Sequence, residues 1–117
     1  MTSPPDAATA VALEPLCRMA VGFGELVDPG PGPHGHRIVV TVDSLEVTGE
    51  RLAGEMAGTA GADWLLLGPD GTSGTVDVRL TVRTLDGAVV YVRYTGRIDF
   101  IAAQSGTPFF VGVLFET

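Results

Sequence analysis

The chain has 117 residues, with 16 Gly, 8 Pro and 45% hydrophobic residues, the composition of one small, turn-rich domain too short for two independent cores. Seven Lys plus Arg against 14 Asp plus Glu give a net charge of −7, which repels phosphate backbones and anionic lipid surfaces and argues against a nucleic-acid or membrane partner. No apolar stretch approaches the ~20 residues of a spanning helix, and the opening MTSPPDAATAVA lacks the basic start and apolar run of a secretory signal, so the expected location is the cytoplasm.

Residues 1–12 carry no apolar period and are expected to form a flexible leader, with 13–117 a single domain. From Leu13 onward Cys17, Met19, Val21 and Phe23 alternate with Arg18, Ala20, Gly22 and Gly24, which predicts a strand with one buried face. Cys17, the only cysteine, lies in the apolar run LCRMAV and reads as a small hydrophobe with no disulfide partner. The segment VDPGPGPHGH (27–36) is dense in Pro and Gly and predicts a long loop. A β-branched strand HRIVVTVDS follows and continues through Leu45–Val47 to a turn at Gly49–Glu50. Leu52, Gly54 and Met56 predict another strand before the break GTAG, and ADWLLLG predicts a short one ending at the turn Gly68-Pro69-Asp70-Gly71.

The clearest signal is a hairpin: Thr75–Thr84 and Ala88–Arg97 flank Asp86-Gly87. Val76, Val78, Leu80 and Val82 form one apolar set, and Val90, Val92 and Tyr94 form the other. A three-residue loop, Leu85-Asp86-Gly87 with Gly87 left-handed, pairs Val82 with Val90 and Leu80 with Val92, keeping one face apolar. It also sets Arg79 opposite Arg93, Asp77 opposite Thr95 and Thr81 opposite Tyr91, so a carboxylate is expected between the two arginines. Ile98–Ala103 is ambiguous between a strand and one helical turn, and Phe109–Phe115 predicts a last strand. About eight short strands with little helix predict an all-β fold, a small antiparallel β-barrel whose closure removes exposed edges.

The segments GADW (61–64), GPDG, DVRLTVRT (77–84), Asp86-Gly87 and YVRYTG (91–96), with the opening LEPLCRMAVGFGE and the strand HRIVVTV, resemble the domain of unknown function 3237 family over residues 13–97. The resemblance implies a small calycin-like barrel and no particular reaction. Family members carry a longer insertion before a strand ending Phe-Glu-Thr and a tail beyond it, both of which this chain lacks. Either the barrel closes with one strand fewer, or a neighbouring subunit supplies the missing edge.

The polar residues that match the family pattern are the candidate site: Tyr91 and Asp77 as catalytic donor and acceptor, with Asp63, Trp64, Arg79 and Arg93 binding substrate. The competing reading makes Asp77 and the arginines an ion-pair ladder on the outer face, with Trp64 plugging the barrel floor. If the hairpin's polar face lines the interior, the expectation favoured here, Asp77 or Asp63 must pair with the arginines and another subunit must cover the valines. His34 and His36 in PHGH lack further ligands for a metal. Phosphate-loop glycine patterns are absent, and Ser44, Ser73 and Ser105 have no hydrolase context, so no cofactor is expected. The expected function is binding of a small, uncharged or weakly acidic apolar molecule, extending to a cofactor-independent cyclase or isomerase. Alternatives are a non-catalytic metabolite carrier and a structural oligomer unit. FFVGVLFET is apolar on both faces, so a homo-oligomer, with a dimer favoured, is expected.

Overall fold

In the computed structural model, which describes residues 10–117, alternation of apolar residues resolves into strands β1 (Arg18–Gly32), β2 (Gly35–Thr48), β3 (Gly54–Met56), β4 (Ala62–Leu67), β5 (Ser73–Thr84), β6 (Val89–Asp99) and β7 (Gly112–Glu116), with one helical turn, α1 (Phe100–Gln104). The proposed leader lies largely outside the described residues; Ala10–Ala12, its described end, are exposed and form no regular element.

All pairings are antiparallel, and the sheet runs β1-β2-β3-β5-β6-β7 with β4 also between β2 and β5. β3 and β4 are two halves of one interrupted strand. β3 pairs Glu46 and Val47 of β2 and Val82–Thr84 of β5, whereas β4 pairs His36–Thr41 of β2 and, farther along β5, Gly74 to Arg79. The Gly-rich segment GTAG between them forms the interruption, and the Val42 amide bridges it with a bond to the Gly61 carbonyl at 2.9 Å.

The β5–β6 hairpin has the register expected from its side-chain parity. Val82 faces Val90, Leu80 faces Val92, Thr81 faces Tyr91, Arg79 faces Arg93 and Asp77 faces Thr95. Gly87 takes φ +88°, a left-handed conformation that L side chains adopt only with strain, and its amide donates to the Thr84 carbonyl at 3.0 Å.

Two expectations are corrected and one ambiguity is resolved. The Pro/Gly segment is strand, not loop: Gly30 pairs with Arg37, Pro31 with His36 and Gly32 with Gly35. β1 is an edge strand, where a proline's missing amide hydrogen costs no ladder bond, and irregularities at Phe23–Leu26 and Val27–Gly30 absorb the misfit. Seven strands form among the described residues, in keeping with the all-β fold of about eight short strands expected. Ile98 and Asp99 end β6, and the Asp99 carboxylate then caps α1 by accepting from the Ala102 amide at 3.0 Å. The last strand begins at Gly112 rather than Phe109.

The hairpin's apolar face is the interior. Val42, Leu45, Val47, Val78, Leu80, Val82, Val90 and Val92 form one buried cluster, flanked by Cys17, Met19, Val21, Leu52, Met56 and Tyr94. Ile38, Leu65, Leu67, Val76 and Ile98 form a second. The expected polar interior is therefore corrected: the valines meet apolar side chains of β1, β2 and β3 from the same chain and need no subunit to cover them. The sheet curls as a barrel does, with β1 and β7 at its two ends. Residues of both line one apolar cavity of about 370 Å³.

Candidate functional site

Four of the six candidate residues come together on the outer face. Asp77 stands between the two facing arginines: Arg93 donates through Nε to Oδ1 at 3.0 Å and through an Nη to Oδ2 at 3.2 Å, and Arg79 donates to the same oxygens at 3.4 and 2.8 Å. The two guanidiniums hold the Asp77 carboxyl down at a pKa of about 2. The Arg79 guanidinium also lies 5.1 Å from the centre of the Trp64 ring. Trp64 therefore supports a guanidinium on the outside and does not plug the floor. Tyr91 follows on the same face, opposite Thr81 and Glu116.

A carboxylate with both oxygens engaged by two guanidiniums is a weak proton acceptor, and no wall encloses it. The expected interior placement of Asp77, Arg79, Tyr91 and Arg93 is corrected by this geometry. What the cluster does is local: it turns two repelling arginines into an ion-paired set on the exposed side of the hairpin.

Asp63 is separate from it. On β4 it alternates with Leu65 and Leu67, so it faces the interior, and it is the single buried charged residue in the described core, 7% exposed. Its Oδ1 accepts one hydrogen bond, from the Asp77 amide at 3.0 Å. The β4–β5 ladder is interrupted here, pairing Asp63 with Val78 and resuming at Leu66 with Thr75. Side chains replace the missing ladder bonds: Asp63 takes the Asp77 amide, and Arg37 donates to the Trp64 carbonyl at 2.8 Å. Burial raises the Asp63 pKa above its ordinary value.

The residue that sequence reasoning missed is Tyr94. Its parity placed it with the valines, and the structure keeps it there, paired with Val78 on one side and Val113 on the other. With Leu16, Cys17, Met19, Val21, Val111, Val113 and Phe115 it lines the cavity of about 370 Å³ between β1 and β7. Burial, with the Asp63 charge as a smaller cause, pushes the Tyr94 phenol up to about 12. It thus remains a protonated donor in an otherwise apolar wall. The usable sequence signal was a hydroxyl in a row of valines. Burial likewise raises the Cys17 thiol pKa, as expected of a small hydrophobe.

His36 Nε2 lies 2.6 Å from an Asp28 carboxylate oxygen across the β1–β2 hairpin, while His34 sits in its exposed turn. Among the described residues no three His, Cys, Asp or Glu side chains come together as a metal site would require. None of the described helices is long and apolar enough to cross a membrane.

These features define a small barrel-like all-β protein with an apolar interior cleft and one phenol in its wall. The chain belongs to the family described as "Protein of unknown function (DUF3237)", which matches residues 11–106. Solved structures share the fold. A protein of unknown function from Clostridium acetobutylicum ATCC 824 is 23% identical with a TM-score of 0.72, covering 89% of this chain and 77% of that one. A β-barrel-like protein from Acinetobacter baumannii AYE is 21% identical with a TM-score of 0.64, over 90% and 78% of the two chains. A conserved protein of unknown function from Rhodopseudomonas palustris is 24% identical with a TM-score of 0.69, over 89% and 78%. No curated protein matches the chain.

Proposed function

We propose that the protein binds a small apolar molecule in the cleft between β1 and β7, with Tyr94 as the hydrogen-bond donor that orients it. The observation that carries this reading is the cavity of about 370 Å³, lined by apolar side chains with one tyrosine among them. That volume falls within the ~300–1,000 Å³ of small-molecule sites, which are mostly apolar with few polar groups. The reading extends to a cofactor-independent cyclisation or isomerisation. Such a reaction needs one reactive conformer held in place and a donor aimed at the oxygen where charge develops, the role of Tyr94 here. Tyr91 and Asp77 are left outside this machinery.

A second copy of the chain is the proposed partner. The β1 edge is blunted by prolines, bulges and the charges of Glu25 and Asp28, devices that discourage strand addition. β7 has no proline and no bulge, carries its one charge, Glu116, at its end, and exposes apolar side chains on both faces, with Leu114 52% and Val113 47% accessible. Pairing β7 with its counterpart extends the sheet and covers Leu114.

Native mass spectrometry of freshly purified protein reads ligand and subunit number together. The expected spectrum is a dimer carrying a small-molecule adduct that is lost on denaturation. Returning the extracted molecule to the protein separates an enzyme, which consumes it, from a carrier, which releases it intact. Bare protein that also fails to take up the neutral apolar dye N-phenyl-1-naphthylamine would overturn the binding reading.

A further inference from the structure

The free edge of β7 offers a fixed set of backbone groups. On β5 the Thr84 amide donates to the Ala88 carbonyl of the hairpin, whereas the Thr81 carbonyl accepts from the Ala57 amide on the opposite side of the strand. Backbone groups of an antiparallel ladder alternate sides residue by residue. Along the unbroken registers of β5, β6 and β7, the even-numbered residues of β6 therefore bond β5, and Tyr91, Arg93 and Thr95 bond β7. Their partners Glu116, Leu114 and Gly112 are thereby engaged. The amides and carbonyls of Val113 and Phe115 point outward, from a strand that pairs only β6.

Two copies joined by this edge are related by a two-fold axis, and outward-facing residues must meet outward-facing ones. The axis therefore falls at one residue of β7 and not between two. Only at Leu114 does it pair all five residues of Gly112–Glu116: Val113 then stands opposite the partner's Phe115, and Gly112 opposite the partner's Glu116. That register meets an open groove. On the outer face a groove of about 380 Å³ is bounded by Arg93, Thr95, Gly112, Val113 and Leu114, and Gly112 has no side chain to fill it. Arg79, Arg93 and Asp77 together leave one positive charge unbalanced. Arg93 gives Nε and one Nη to Asp77, and among the described residues its other Nη makes no hydrogen bond. Glu116 lies on the same face and forms no ion pair among the described residues.

We infer that a second copy docks in this register, with Leu114 on the axis and Arg93 holding the partner's Glu116 in the groove over Gly112, twice per dimer. This rests on the second-copy reading above and names the contacts that fix its geometry. At ~4.8 Å between strands and ~3.4 Å per residue, the backbones of Arg93 and the partner's Glu116 stand roughly 12 Å apart. The two long side chains span that distance. Backbone bonds at Val113 and Phe115 supply the attachment, and the charge pair selects the register, because either neighbouring register moves the partner's Glu116 away from Gly112.

The test joins cross-linking of the full chain to sedimentation equilibrium. Leu114, whose own backbone bonds β6, faces its counterpart at ~4.5 Å between Cα atoms, within the reach of a disulfide. In a Cys17→Ala background, diamide is expected to make covalent dimer from Leu114→Cys at least tenfold faster than from Val113→Cys, which has no counterpart opposite itself. Glu116→Arg, which sets like charges together at both ends of the interface, is expected to raise the dimer dissociation constant at least tenfold. Cross-linking of Val113→Cys as fast as Leu114→Cys would overturn the inference, and so would a Glu116→Arg chain that dimerises as tightly as the wild type. Either result in a dimeric protein leaves the second-copy reading standing. A monomeric wild-type chain at tens of micromolar would instead remove that reading and this inference with it.

Discussion

Asp63 and Asp77 are joined by one hydrogen bond, the Asp77 amide donating to Asp63 Oδ1 at 3.0 Å, while their own carboxyl groups stand on opposite faces of the sheet. The outward one is held by two guanidiniums and pulled to a pKa of about 2; the inward one is raised by burial. Neighbouring backbone thus presents a doubly ion-paired acid to solvent and, toward the interior, one held by a single backbone amide. The first contributes to stability and the second opposes it at neutral pH.

Asp63→Asn is expected to be neutral or stabilising at pH 7, within about 1 kcal/mol of wild type or above it. With its folded pKa raised, Asp63 supports the fold fully below its ordinary value of 3.8, and that support is lost as the pH rises through the higher folded value. Urea unfolding at pH 7 checks this. A loss of more than about 2 kcal/mol would make Asp63 a structural group.

Asp77→Asn is expected to cost about 1 kcal/mol, because both arginines are partly exposed and water screens the pairing. Here the sign reverses. The depressed pKa means that the stabilisation is complete above 3.8 and is lost as the pH falls through about 2. Acid unfolding of the variant should therefore be flatter over that interval than that of the wild type. Identical acid limbs would show that the clamp contributes nothing.

Gly87→Val is expected to destabilise by about 1–2 kcal/mol through backbone strain alone, since φ is +88° and an added Cβ meets no atom within 4 Å. Thermal unfolding of the variant measures it. A Tm equal to the wild type's would mean that the three-residue loop is not the one the hairpin uses.

Leu114→Glu is expected to leave the hairpin and core intact and yield a monomer, by placing a charge on the outer face of β7, where Leu114 is 52% accessible. Light scattering at tens of micromolar is expected to show a dimer for the wild type and a monomer for the variant. A monomeric wild-type chain would remove the proposed β7 pairing.

The hairpin was legible in the sequence because its two arms differ sharply between faces, so only one loop length keeps Val82, Leu80 and Val92 together. β1 was not, because the rule that prolines break strands fails on an unpaired edge. β2 hides a parity switch: Val42 and Leu45 are both buried although they are an odd number of residues apart, and the irregularity opposite Gly22/Phe23 accounts for it. In ADWLLLG both alternating sets are bulky and apolar, so period alone could not say that Asp63 points inward and Trp64 outward. The candidate site was legible only in part. Sequence reasoning found the outer cluster and the expected carboxylate between its arginines, but grouping Tyr94 with the valines hid the one hydroxyl in the cleft.

The most direct test of the account is uptake of N-phenyl-1-naphthylamine by four proteins: wild type, Val21→Trp, which fills the cleft, and Arg93→Ala and Tyr91→Phe, which alter only the outer face. Saturable fluorescence is predicted for the wild type and for both outer-face variants within about twofold in Kd, with at least a tenfold loss in Val21→Trp. Binding that survives in Val21→Trp but is abolished in Arg93→Ala would contradict the account, placing the site on the outer cluster instead of in the interior.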